Sequence, residues 1–234
     1  MNKLLRSLMA MLVLGIVMLP FLAMCATYDL QTDWSNTNNP NGQWTYWQGS
    51  TQLLHQPAVS GGPLPNTDFF APGPSFGGFL PAFWNGGDAI ITHSVDSYNG
   101  NASLGESTLT WTSPSAGIVS ISGAIWFAQS GTGRSNDFSL SLGSSPLISG
   151  TVSDSGQGYA YDKAHAVTFS FSNLTVSTGE VLSLVNERSL GYAPGTESAI
   201  NLTVTETPVP LPASLLLFGP GLVGLAAIRR RFKK

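Results

Sequence analysis

A two-residue alternation of apolar and hydroxyl-bearing side chains runs through the second half of the chain and limits its fold more than any other feature. Leu109 and Trp111 alternate with Thr108, Thr110 and Thr112. Val119, Ile121, Gly123, Ile125 and Phe127 share one face, against Ser120 and Ser122 on the other. Phe138, Leu140 and Leu142 repeat the pattern, as do Val167, Phe169 and Phe171, and then Ile200, Leu202 and Val204. Val181 to Val185 is a further, less regular strand. A period of two puts successive side chains on opposite faces of a strand. Each run therefore has one oily and one polar face, as in antiparallel sheets packed face to face. Turn residues break the runs at 114–117, 131–135, 143–146, 154–158 and 177–179. No stretch here has a helical apolar period. The expected fold is all-β, an antiparallel β-sandwich of jelly-roll type.

The region 27–87 is less regular. It holds Trp34, Trp44, Trp47 and Trp84 with Tyr28 and Tyr46, and prolines at 63, 65, 72, 74 and 81. Long loops with two or three strands are expected, supplying the first strands of the sandwich and covering one end or face. A chain of 234 residues fits one such domain, 27–207, plus targeting segments. Its loop-rich part is 27–87 and its main strands are 88–207.

Charge is segregated along the chain. All thirteen acidic residues lie between Thr27 and Thr207, where Arg134, Lys163 and Arg188 are the basic ones, leaving a formal charge of −10. Such a surface repels phosphate backbones and excludes nucleic acid as a partner. The other basic residues sit at the two ends.

Met1 to Ala26 reads as a secretory signal peptide. Lys3 and Arg6 precede the apolar run Leu8–Ala23, and small residues at Ala23, Cys25 and Ala26 suit cleavage. A lipoprotein reading of Leu22–Cys25 would set the bulky Met24 where a small residue belongs. Cys25 is the one cysteine, so cleavage after it leaves no thiol for disulfides or catalysis. At the other end, Val209, Pro210, Leu211, Pro212 and Ala213 form a proline-locked extended segment. The charge-free stretch Leu211–Ile228 would span about 27 Å as a helix. Arg229, Arg230, Arg231, Lys233 and Lys234 then form a stop-transfer cluster that keeps the C-terminus cytoplasmic.

This order of motif, glycine-bearing apolar stretch and basic cluster resembles the VPLPA variant of the bacterial PEP-CTERM sorting signal. The commoner form has Glu where Leu211 stands. The resemblance implies passage through the secretion machinery and transient membrane anchoring. An exosortase-like membrane enzyme would then process the tail, leaving the product at the cell surface or outside the cell. A permanent single-span anchor is the alternative. The opening Tyr28–Ser35 with Asn38–Tyr46, and Trp111–Gly117 leading into Ile118–Gly123, are similar to segments of the jelly-roll domains of such exported proteins.

Several residues are candidates for chemistry. Aromatic rings stack on the C–H face of sugars while Asn side chains bind hydroxyls. Trp44, Tyr46 and Trp47 with Asn39 and Asn41 offer both, although the same residues also suit core packing and a turn. Asp96, Asn99 and Asn101 offer three oxygen ligands for a structural calcium, without the spacing of an EF-hand loop. Asp154 and Asp162 flank another glycine loop. His55, His93 and His165 are too scattered for a zinc signature. Glu187 beside Arg188 is the most notable charged pair, but adjacent strand residues point to opposite faces. No nucleophile elbow, P-loop or dinucleotide fingerprint occurs. No cofactor is implied. The reading is a non-catalytic surface or matrix protein associated with extracellular polysaccharide or biofilm. The alternatives are a carbohydrate-binding module with a defined sugar site, a matrix polysaccharide hydrolase, and a surface-coat subunit associating through sheet edges.

Overall fold

The oily strand faces close on one another as two antiparallel sheets. The computed structural model describes residues 25–58, 67–73, 83–97 and 105–208. Residues 1–24, Asn99, Asn101, the Val209–Ala213 motif, the apolar stretch and the terminal Arg/Lys cluster lie outside them.

Six strands precede the main alternating region. They are β1 (Ala26–Asp29), β2 (Trp44–Gln48), β3 (Thr51–Gln52), β4 (Leu54–Gln56), β5 (Phe69–Ala71) and β6 (Phe83–Asn85). The rest are β7 (Ile90–His93), β8 (Ser107–Thr112), β9 (Gly117–Phe127), β10 (Ser135–Leu142), β11 (Ser145–Ser153), β12 (Val167–Val176), β13 (Val181–Arg188) and β14 (Glu197–Pro208). One short helix, α1 (Tyr159–Ala164), joins β11 to β12.

The first sheet runs β12-β9-β14-β7-β6-β5-β4, with β1 also paired to β14, and the second runs β11-β10-β13-β8-β2-β3. Counted from β7, strands six, three, eight and one stand side by side in the first sheet. Strands five, four, seven and two do so in the second, which is the order of a jelly roll.

The expected faces are buried. Leu109, Trp111, Val119, Ile121, Ile125, Phe138, Leu140, Ile200, Leu202 and Val204 belong to one core between the sheets. Trp126, by contrast, points to the outer face of the first sheet. It joins Phe69, Trp84, Ile91 and Ala199 in a second cluster, with Tyr159 of α1 packed against it.

Three local features depart from the sequence expectation. Region 27–87 supplies six strands among its described residues rather than two or three, because strands of two to five residues are too short to show a period. β11 lies at a sheet edge and is mostly exposed, so no buried face imposed alternation on it. α1 spans six residues, under two turns, and carries no readable helical stripe.

The aromatic segment before Gln48 is core. Trp44 and Tyr46 are 1% and 0% exposed. Tyr46 stands among Trp34, Phe70 and Phe83 at ring-centroid distances of 5.0, 5.3 and 5.1 Å. Its hydroxyl is buried without a hydrogen-bond partner among the described residues, and burial, with Asp33 adding to it, raises its pKa. Tyr46→Ala is expected to cost about 3–5 kcal/mol in denaturant unfolding, the range for a large buried aromatic. Tyr46→Phe, which removes only the unpaired hydroxyl, is expected to be neutral or stabilising by up to about 1 kcal/mol.

Candidate functional site

The strand register puts the start of β1 and the finish of β14 at one end of the sandwich and several of the described connections at the other. The last residues of β14 pair with β1, Ala26 opposite Glu206, and Cys25 Sγ lies 3.4 Å from Thr207 Oγ1. The start of β14 lies at the far end. There Ala128 N donates to Glu197 O and Ser94 N donates to Thr196 O, both at 2.9 Å. Ser189 N donates to Ser135 O at 3.1 Å, and Asp154 N to Arg134 O at 3.0 Å. Segments 94–97, 128–134, 154–166 and 189–196 therefore share the end away from Cys25 and Thr207.

A buried polar network ties the sheets together at this far end. Asn136 of β10 accepts from Ser94 Oγ at 2.6 Å and donates to Thr196 O at 3.0 Å and Ser198 Oγ at 2.8 Å. Ser198 Oγ donates to Asn186 Oδ1 of β13 at 2.9 Å. Beside it His93 is 2% exposed. Burial pushes the His93 imidazole down to about 4, outweighing the attraction of Asp96. Ser107 Oγ donates to His93 O at 2.8 Å and so holds the strand end in place.

Two cavities open among these segments. The first, about 120 Å³, is lined by Val95, Asp96, Gly105, Glu106, Glu187 and Arg188. Asp96 is 1% exposed; its Oδ1 accepts from Gly195 N at 2.5 Å. A Cβ at Gly195 would collide with the Ser94 carbonyl, so glycine is what lets the two segments approach. Burial, then Glu106 and Asp137, raise the Glu187 carboxyl above the usual range. Glu187 and Arg188 do line one cavity, despite their opposite strand faces, because it lies beyond the end of β13. Arg188 Nη1 nevertheless donates to the carbonyl of Tyr192 rather than pairing with Glu187.

The second cavity, about 220 Å³, lies between the end of β11, the start of β12 and α1. Trp126 and Phe127, both buried, line it together with Ser153, Ser155, Asp162 and the Tyr161–His165 pair. The rings of Tyr161 and His165 stack at 4.0 Å with 25° between planes, and Tyr161 is 39% exposed. Asp162 is 7% exposed, and its Oδ2 has no hydrogen-bond partner among the described residues. Lys163 turns away from Asp162 and pairs with Asp88 at 2.5 Å, its ammonium lying 5.5 Å from the Trp126 ring centroid.

The structure does not assemble the aromatic sugar site suggested by residues 39–47. Trp44 and Tyr46 face the core, for the reason given by the alternation itself. Trp47, half-buried on the opposite face, donates from Nε1 to Thr110 Oγ1 at 3.0 Å. Asn39 is a clamp: its Nδ2 donates to Tyr46 O and Leu53 O, and its Oδ1 accepts from Tyr46 N. Asn41 donates to Asp33 O at 2.6 Å. Their amides are thus committed to the backbone.

Of the calcium candidates, Asp96 lies in the acidic cavity, and Asn99 and Asn101 lie outside the described residues. Among the described residues no group of three His, Cys, Asp or Glu is placed to hold a metal. Asp154 accepts from Thr132 N, Gly133 N and Gly156 N and organises its own loop. His55 faces Asp68 at 3.4 Å. Tyr161, which sequence reasoning missed, has a neighbour flagged in the sequence, Asp162. Nothing in the one-dimensional pattern linked either to β11 or Trp126.

No family model matches the chain, and no curated protein matches it. Among solved structures it is similar to the CBM22-1 xylan-binding domain from Paenibacillus barcinonensis, at 9% identity and TM-score 0.35, covering 79% of this chain and 94% of that one. It is also similar to the CBM51 module of Clostridium perfringens in complex with methyl-galactose, at 12% identity and TM-score 0.36, covering 76% and 99%. The K1 cleaved adhesin domain of Lys-gingipain from Porphyromonas gingivalis is a third, at 8% and 0.33, covering 80% and 99%. At these identities and TM-scores the likeness carries neither a ligand nor a site to this chain.

The His93 geometry sets a pH dependence. A folded-state pKa near 4 lies below the unfolded value of roughly 6.5. The unfolded chain therefore binds more protons between those values, and stability falls as pH drops through that window. From pH 7 to pH 5 the loss is expected to be about 2 kcal/mol, read from urea unfolding midpoints. His93→Gln is expected to remove most of that slope.

Proposed function

We propose that this chain is an exported, tail-sorted, non-catalytic β-sandwich that associates with extracellular polysaccharide. The observation that carries the reading is the polarity of the fold. The start of β1 and the finish of β14 are paired at one end, and the two cavities found among the described residues sit at the other. Cys25 and Thr207, which lead to the two terminal segments, thus lie at the end away from these two cavities. The order of the Val209–Ala213 motif, apolar stretch and Arg/Lys cluster supports processing by an exosortase-like enzyme. The formal charge of −10 over 27–207 favours neutral glycans over acidic ones, which it repels.

Two measurements test this. An epitope fused after Lys234 is expected to disappear from the mature surface chain, and to persist in the membrane fraction when Val209–Ala213 is deleted. Persistence in both would leave a permanent anchor. The purified chain is expected to be retained saturably on the extracellular polysaccharide of its own cells. No retention by folded protein would remove the polysaccharide role.

A second reading has its own observation. β11 ends the second sheet and presents nine residues, Ser145–Ser153, mostly exposed and without charge. Long uncharged edges are templates for strand pairing, as a surface-coat subunit would need. Sedimentation at rising concentration separates the two: a monomer is expected for the polysaccharide reading, and reversible assembly for the coat subunit.

A further inference from the structure

We infer that the cavity between the end of β11 and α1 is a glycan subsite that takes one neutral sugar ring, with Tyr161 as its stacking platform and Asp162 as its hydroxyl acceptor. This deepens the polysaccharide reading and rests on it. The argument begins with Asp162. A carboxylate oxygen buried without a partner is costly, and native proteins leave few such groups unexplained. Asp162 Oδ2 is one of them. It lies on a helix held over the sheet by Tyr159, whose hydroxyl donates to Asp88 Oδ1 at 2.7 Å, and by the Lys163–Asp88 pair. The helix thus spends its neighbouring polar groups on Asp88, outside the cavity, while Asp162 itself is one of the residues of the cavity wall.

The surrounding groups narrow the ligand class. A carboxylate only accepts, so its ligand must donate, and vicinal sugar hydroxyls do so in pairs. Ser153 and Ser155 on the same wall can both donate and accept, which again matches hydroxyls. Tyr161 adds an aromatic surface, half-exposed and propped by stacking on His165, suited to the C–H face of a pyranose. The volume of about 220 Å³ is below the roughly 300–1,000 Å³ of sites for drug-sized ligands. It therefore suits one ring of a chain, with the rest running past in solvent. A cationic amine would also be drawn to Asp162, but the hydroxyl-lined wall offers it no second carboxylate.

The test uses the full-length chain in mild detergent. Its probes are methyl glucoside, galactoside, mannoside and xyloside, methylamine, and the cells' own polysaccharide. At least one glycoside is expected to bind and to compete with polysaccharide retention. Tyr161→Ala and Asp162→Asn are each expected to weaken binding at least tenfold. Trp47→Ala, outside the cavity, is expected to leave it unchanged, with melting midpoints reported for every variant. Because Asp162 is buried, the half-exposed Tyr161 variant decides the matter if Asp162→Asn unfolds. Polysaccharide retention that survives Tyr161→Ala undiminished overturns this subsite while leaving the polysaccharide role standing. Absence of retention by the unaltered chain overturns both. Methylamine binding that is lost in Asp162→Asn, with no glycoside binding, overturns the sugar assignment in favour of a cationic ligand.

Discussion

The buried Asn136 side chain is the constraint on which the working end of this molecule depends. One amide joins Ser94, which follows β7, to Thr196 and Ser198 at the start of β14, and Ser198 passes the link on to Asn186 of β13. Two sheets whose contact is largely apolar are pinned at one end by directional bonds in a low-dielectric setting, where such bonds are strong and their loss is costly. An apolar substitute of the same size would cost Ser94, Thr196 and Ser198 one buried hydrogen bond each. The network sets the spacing of the strands from which the cavity-lining segments emerge. Its position beside His93 also places a histidine in surroundings too dry to carry a proton near neutral pH.

The opposite end is closed by different means. Glu206, 1% exposed, accepts from Ser115 Oγ at 2.6 Å and faces the Tyr28 hydroxyl at 3.5 Å. The first strand, the last strand and the β8–β9 turn are thereby held together. Asp29 accepts from Thr32 N and Thr203 Oγ1, which lowers its pKa despite partial burial. The two ends thus divide the labour. One joins the first and last strands through pairing and a few acidic side chains, and the other spaces the connections through a neutral amide network. The aromatic cluster around Tyr46 fills the interior between them.

The composition of the cavities follows from this arrangement. Acidic side chains are plentiful in a chain with few bases, and those at strand ends meet in the cavity lined by Asp96, Glu106 and Glu187. The cavity under α1 is different in kind. Its single carboxylate stands among rings and hydroxyls because α1 crosses from the edge of one sheet to the edge of the other, bringing Tyr161 and Asp162 over Trp126 and the end of β11. The outward turn of Trp126 comes from strand alternation next to Ile125 and Phe127.

The sequence by itself determined the all-β class, the two-faced strands from β8 onward, and the charge segregation that separates the domain from its ends. These are properties of period and composition, legible because every second residue of a half-buried strand must be apolar. It also held the answer for Trp44 and Tyr46, whose shared face is the core face, although their aromatic character suggested a ligand. Only the tertiary structure decided where function can reside. Asp162 and Ser153 belong to different elements, and Glu187 and Asp96 are far apart in the chain. Their meeting depends on strand order, which period cannot encode. The same holds for α1 and β11, one too short and the other too exposed to leave a pattern. A cavity is a relation between elements, set by how sheets stack and connections cross, and no local spacing of residues records it.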